Sequence, residues 1–175
     1  MAHPQRRVRR FATVLLFGVA GSVVLSGCLG LGQNADTEPS AGAGTGAERK
    51  GSAAVADLKS VPGVLDAIVT SGPNGLPSQI ELTSGLNLEA VYAGDLPALL
   101  DYTLAQAWSV TVEEPTTVVS VGFLDGDSAL DLAPAAAELG WTDQPGPKLE
   151  LSVDDLAERY GAWPGPVPEK PAALG

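Results

Sequence analysis

VLDAIVTSGPNGLPSQIELTS, residues 64–84, places two strand signals on either side of one turn signal. VLDAIVT (64–70) is rich in β-branched side chains, which suit a pleated, half-buried surface. GPNGLP (72–77) is a turn by composition, because glycine and asparagine tolerate positive φ and proline presets a negative one. SQIELTS (78–84) alternates, with Ile80 and Leu82 on one face and Gln79, Glu81 and Thr83 on the other. The two runs are expected to pair as an antiparallel hairpin with one apolar face. That face must be covered.

The flanking segments supply the cover. Upstream, AAVADLKSV (53–61) puts Ala54, Leu58 and Val61 on one helical face, with Ser52 placed to cap it and Pro62-Gly63 to stop it. Downstream, Asp95 is a good N-cap for LPALLDYTLAQAW (96–108), and Pro97 is tolerated in the first turn. Leu96, Leu99, Leu100, Leu104, Ala107 and Trp108 give that helix a wide apolar stripe. TTVVSVGFL (116–124) is the strongest strand, presenting Val119, Val121 and Phe123 to one face. Asp125-Gly126 signals a tight hairpin turn, so SALDL (128–132) is expected to return as a short strand. APAAAELG follows as a helix ending at Gly140. Ser152 and Asp155 form a capping-box-like start to VDDLAERY, which Gly161 ends.

This order predicts an α+β fold: a small antiparallel sheet with helices packed on one face, an αββαβ-like core and C-terminal helices. The element order and the junction Val61-Pro62-Gly63-Val64 resemble small ferredoxin-like and BON-type envelope domains. The resemblance implies a fold and carries over no functional residue.

Outside the domain the chain changes character. Residues 1–10, MAHPQRRVRR, hold four arginines and no acid, and FATVLLFGVAGSVV (11–24) is apolar and uncharged. That is the plan of an export signal. A membrane span, the competing reading, asks for about 20 apolar residues. Leu25-Ser26-Gly27-Cys28 closes the segment and resembles the lipobox of bacterial lipoproteins. The resemblance implies a diacylglyceryl thioether on Cys28 and cleavage between Gly27 and Cys28. A protein anchored in this way lies on the extracytoplasmic side of the cell membrane. Its expected regions are a signal peptide (1–27), a lipidated cysteine and flexible tether (28–51), a globular domain (52–163) and a Pro-rich tail (164–175). A Gly/Ala/Ser-rich tether of this length spans about 25 Å. The prolines of the tail predict an irregular or polyproline-like end.

Processing at Gly27 would remove four of the ten basic residues and the only histidine, His3. The mature chain then has six Lys and Arg against 21 Asp and Glu, a formal charge of −15 where the precursor has −11. Such a charge argues against nucleic acid as a partner. With no histidine and a lipid-blocked cysteine, Ser-His-Asp and Cys-His catalysis are excluded. Disulfides and His/Cys zinc sites are excluded with them. No cofactor is expected.

Three groups remain as candidates. Asp125, Asp127 and Asp131 begin like a calcium loop, but Ala129 and Ala136 stand where ligands are needed, so a turn with solvated carboxylates is expected and no metal. Glu113-Glu114, if extended, point to opposite faces and cannot converge on one bond. Trp141, Tyr160 and Trp163 form either an aromatic patch for a protein or glycan partner, or the packing of the last helix onto the sheet. The expected function is a non-catalytic binding module for an envelope protein or cell-wall component. The alternatives are a carboxylate-based enzyme or divalent-cation binder, and a structural spacer.

Overall fold

The computed structural model describes residues 48–175. The signal segment, Leu25-Ser26-Gly27-Cys28 and most of the tether lie outside them. The elements run α1 (Gly51–Lys59), β1 (Val64–Pro73), β2 (Ile80–Leu88), α2 (Leu96–Trp108), β3 (Val118–Asp125), β4 (Ser128–Ala129), α3 (Ala133–Glu138), β5 (Lys148–Ser152) and α4 (Val153–Tyr160), with a final 3-10 turn at Ala172–Leu174. The α+β class read from the sequence is the class observed.

The hairpin of residues 64–84 forms and runs further than its alternation suggests: β1 and β2 pair antiparallel from Val64↔Leu88 to Pro73↔Ile80, with a bulge between Val64 and Asp66. From β2 the chain crosses through residues 89–117, with α2 among them, and returns beside β2 as β3 in parallel register, Leu82↔Val119 to Leu88↔Asp125. A parallel neighbour requires such a crossover of a dozen or more residues. The sheet is therefore mixed, not wholly antiparallel. Both β4 and β5 pair antiparallel with β3, β4 at its end (Leu124↔Ala129) and β5 along its earlier part (Val118↔Ser152). Strand β5, KLELS, has no counterpart in the sequence reading.

Period-2 alternation decides the two faces. Leu82, Leu86 and Leu88 of β2, Val119, Val121 and Phe123 of β3, and Leu149 and Leu151 of β5 are buried together. Helix α1 adds Ala54 and Leu58, and α2 adds Leu99, Leu100, Leu104, Ala107 and Trp108. Each large side chain so buried contributes about 1.5–3 kcal/mol relative to exposure. Helix α2 is enclosed rather than amphipathic: Tyr102, Thr103 and Gln106 are buried too, since it touches β2, α1, α3, α4 and the C-terminal turn. Its start is as read, with Asp95 Oδ1 accepting from Ala98 N at 2.9 Å. Ser152 likewise caps α4 through Asp155 N at 3.0 Å.

The ends of the domain differ from expectation. Helix α1 starts at Gly51 with Lys50 at its N-cap, so Ser52 lies inside the first turn and caps nothing. Arg49, expected in the tether, packs between α1 and α2 with its side chain 10% exposed. The tail after Trp163 folds back: Gly165 N donates to Trp108 O at 3.0 Å, and Leu174 is buried. Proline prevents regular structure there, but an irregular strap can still place one leucine in a core. Among the described residues no helix is long and apolar enough to cross a membrane.

Candidate functional site

Helices cover one face of the sheet, and the opposite face carries the most distinctive feature of the surface. Register places Ile68, Gly85, Gly122 and Lys148 in one row across β1, β2, β3 and β5. The row on one side is Asp66, Asn87 and Leu124, and the row on the other is Thr70, Thr83, Ser120 and Glu150. Side chains rise from both outer rows while the two paired glycines contribute none. The result is a pit made of two adjoining depressions of about 200 and 230 Å³ that share Ile68, Gly85 and Gly122. Its apolar rim is exposed, Ile68 at 53% and Leu124 at 44%.

The polar rim is mostly self-bonded. Lys148 Nζ lies 2.8 Å from Glu150 Oε1 and 3.5 Å from Glu81 Oε1. Glu81 also accepts from Asn74 Nδ2 at 2.6 Å and from the buried hydroxyl of Ser120. At the other end Lys59 pairs with Asp66 at 3.0 Å and holds its carboxyl below the usual carboxylate range. Asn87 Oδ1, in the pit wall, is shielded from solvent and has no hydrogen-bond partner. The Glu150 carboxylate raises Lys148 above the ordinary lysine value, so its ammonium keeps its proton and is no base for Ser120. The nearby carboxylates Glu81 and Glu150 meet on that ammonium instead of facing each other across a gap.

The residues singled out in the sequence lie elsewhere. Asp125 Oδ1 accepts from Val91 N at 2.6 Å, across the chain, and Asp131 Oδ1 from the nearby Ala133 N at 3.0 Å, so two of the three loop carboxylates are bonded to backbone. No group of three or more metal-ligating side chains occurs among the described residues. Glu113 and Glu114 are exposed on the segment before β3. Trp141, Tyr160 and Trp163 all pack partly buried against the core. Arg159 joins the first two, its guanidinium carbon 4.9 Å from the Trp141 ring centre and 5.8 Å from that of Tyr160. Asp101 Oδ1 accepts from Arg159 Nε at 2.7 Å and from the Tyr160 hydroxyl at 2.8 Å.

Burial, and then the Asp101 carboxylate, push the Tyr160 hydroxyl far above its ordinary value. A raised folded-state value stabilises below the unfolded value near 10 and is lost above it, because only the unfolded chain can then release the proton. Tyr160→Phe is therefore expected to cost about 1–2 kcal/mol near neutral pH, the loss of one charge-assisted hydrogen bond. The gap to wild type should narrow from pH 10 upward in urea titrations. A pH-independent difference would contradict this assignment.

The sequence reading missed Gly85, Gly122, Asn87 and Lys148. The available signal was a lone glycine inside each of two strong strands, which marks a bulge or a place where something approaches the backbone closely. No protein-family model, no curated protein and no solved structure matches this chain.

Proposed function

We propose that the chain is an exported bacterial lipoprotein, tethered to the membrane through Cys28, whose acidic domain binds a partner in the cell envelope without catalysis. The observation that carries the binding reading is the open pit above Gly85 and Gly122. It offers apolar area and no free acid–base pair, which suits recognition better than proton transfer. The anchor rests on Leu25-Ser26-Gly27-Cys28 and the charged and apolar segments before it. One acyl chain holds a protein only marginally at a bilayer, and the two of a diacylglyceryl group hold it stably.

Cys28→Ala tests the anchor. Wild type should sediment with membranes, and the variant should accumulate as a slower-migrating precursor or leave the membrane fraction. Unchanged membrane fractionation with normal processing would rule out attachment at Cys28.

A further inference from the structure

The aromatic side chains beside α4 hold a charge in place instead of offering a bare ring. Gly140 and Trp141, with Asp155, Glu158 and Arg159 of α4, line a polar depression of about 350 Å³. Asp155 stands four residues before Arg159, the spacing at which a helix ordinarily closes an ion pair. Here that pair does not form. Arg159 Nε bonds Asp101 Oδ1 on α2 at 2.7 Å, and Nη1 bonds Leu139 O at the end of α3 at 3.1 Å. The same guanidinium lies over the Trp141 ring, 4.9 Å from its centre. These bonds use two of its five N–H groups, and Nη2 has no partner among the described residues. Asp155 and Glu158 enter none of the ion pairs among those residues. The depression therefore sets a fixed guanidinium edge beside two unpaired carboxylates. Fixing Arg159 in advance also removes the side-chain ordering that a free surface arginine would cost on binding.

That arrangement selects an occupant by charge. A simple anion would meet the open edge of Arg159 but be repelled by Asp155 and Glu158. A simple cation would satisfy the carboxylates and lie against the guanidinium. No group of three or more metal-ligating side chains occurs among the described residues. A neutral sugar would leave the charges unmatched, and the guanidinium already occupies the Trp141 face on which it would stack. Because Asp101 balances Arg159, Asp155 and Glu158 give the depression an excess of negative charge. We infer that it is a binding site for a diamino acid, free or at the C-terminus of a peptide. The carboxylate of the ligand takes the open edge of Arg159, and its side-chain ammonium meets Asp155 and Glu158. This goes beyond the reading of an anchored binding module and does not depend on the pit.

The test titrates the full chain, purified in detergent micelles, with L-lysine and follows binding by saturation-transfer NMR. L-lysine should bind saturably. Hexanoate, which lacks the ammonium groups, and cadaverine, which lacks the carboxylate, should each bind about tenfold or more weakly, the loss of one charge-assisted contact. Tighter binding of L-lysine than of Nα-acetyl-L-lysine identifies the free amino acid as the ligand, and equal or weaker binding identifies a peptide end. Glu158→Gln and Arg159→Lys should each weaken L-lysine by about tenfold, the second because an ammonium cannot present the planar edge. Glu158 is exposed, so Glu158→Gln should melt with wild type, which separates a lost contact from a misfolded domain. Hexanoate or cadaverine binding as well as L-lysine, or N-acetylglucosamine binding better, would overturn the site. So would the absence of saturable L-lysine binding, or binding unchanged in either variant. Each of those results would leave the anchor at Cys28 and the pit untouched.

Discussion

Trp108→Ala is expected to cost about 3–5 kcal/mol, the range for removing a large buried aromatic side chain. Trp108 ends α2, is 1% exposed and stands where three segments meet. Its indole N–H donates to Gly161 O at 2.9 Å, which ties down the residue that ends α4. Its carbonyl accepts from Gly165 N, and Gly165 lies so close that a Cβ there would stand 2.7 Å from the ring. Alanine would leave a cavity, strand the Gly161 carbonyl and release the strap that brings Leu174 into the core. Domains of this size hold only about 5–15 kcal/mol in total, so a fall in melting temperature of about 10–20 °C follows. Trp108→Phe keeps most of the apolar contact and loses the N–H, and should cost about 1–2 kcal/mol. Urea denaturation of both variants separates the terms. If alanine cost no more than phenylalanine, the ring would not be filling the space assigned to it.

Features written in local chemistry were legible before the structure. Asp95 and Ser152 cap their helices because a short acceptor side chain beside an apolar run has one good use. Asp125-Gly126 turns tightly because Gly126 takes φ 60° without steric cost. Alternation in 78–84 and 116–124 correctly separated the core face from the open face. Direction was not in that alternation: β3 has the same pattern whether it runs parallel or antiparallel to β2. The length of the crossover decides it. Strand β5 escaped notice because only Leu149 and Leu151 mark it, behind Pro145-Gly146-Pro147. Each strand glycine was a signal on its own, but the pit was not legible, because Gly85 and Gly122 become neighbours only through register. Composition also misled at both ends. Polar, small and proline-rich segments look solvated, yet one arginine and one leucine within them are held by the fold.

That arginine sets the second large effect. Arg49→Ala is expected to cost about 2–4 kcal/mol, because its removal leaves buried partners behind, not just one broken surface pair. Nη2 bonds Asp57 Oδ2 at 2.6 Å and also reaches Gln106 Oε1. Nη1 bonds Gln106 O at 3.2 Å and the Ser109 hydroxyl. Gln106 and Ser109 are buried, whereas the Asp57 side chain is 49% exposed and can turn to water. The backbone is committed as well, Arg49 O accepting from Thr111 N at 2.8 Å. Arg49→Met keeps the apolar stem and should still lose most of the stability, since the stem is not what bonds Gln106. Arg49→Lys should recover little, because a single ammonium cannot span acceptors set for a planar fork. Asp57→Asn distinguishes the ion pair from the buried hydrogen bonds. With its carboxylate half in water, it should cost no more than about 1 kcal/mol. A cost for Asp57→Asn equal to that of Arg49→Ala would mean that the ion pair, and not the bonds to Gln106 and Ser109, fastens the start of the domain.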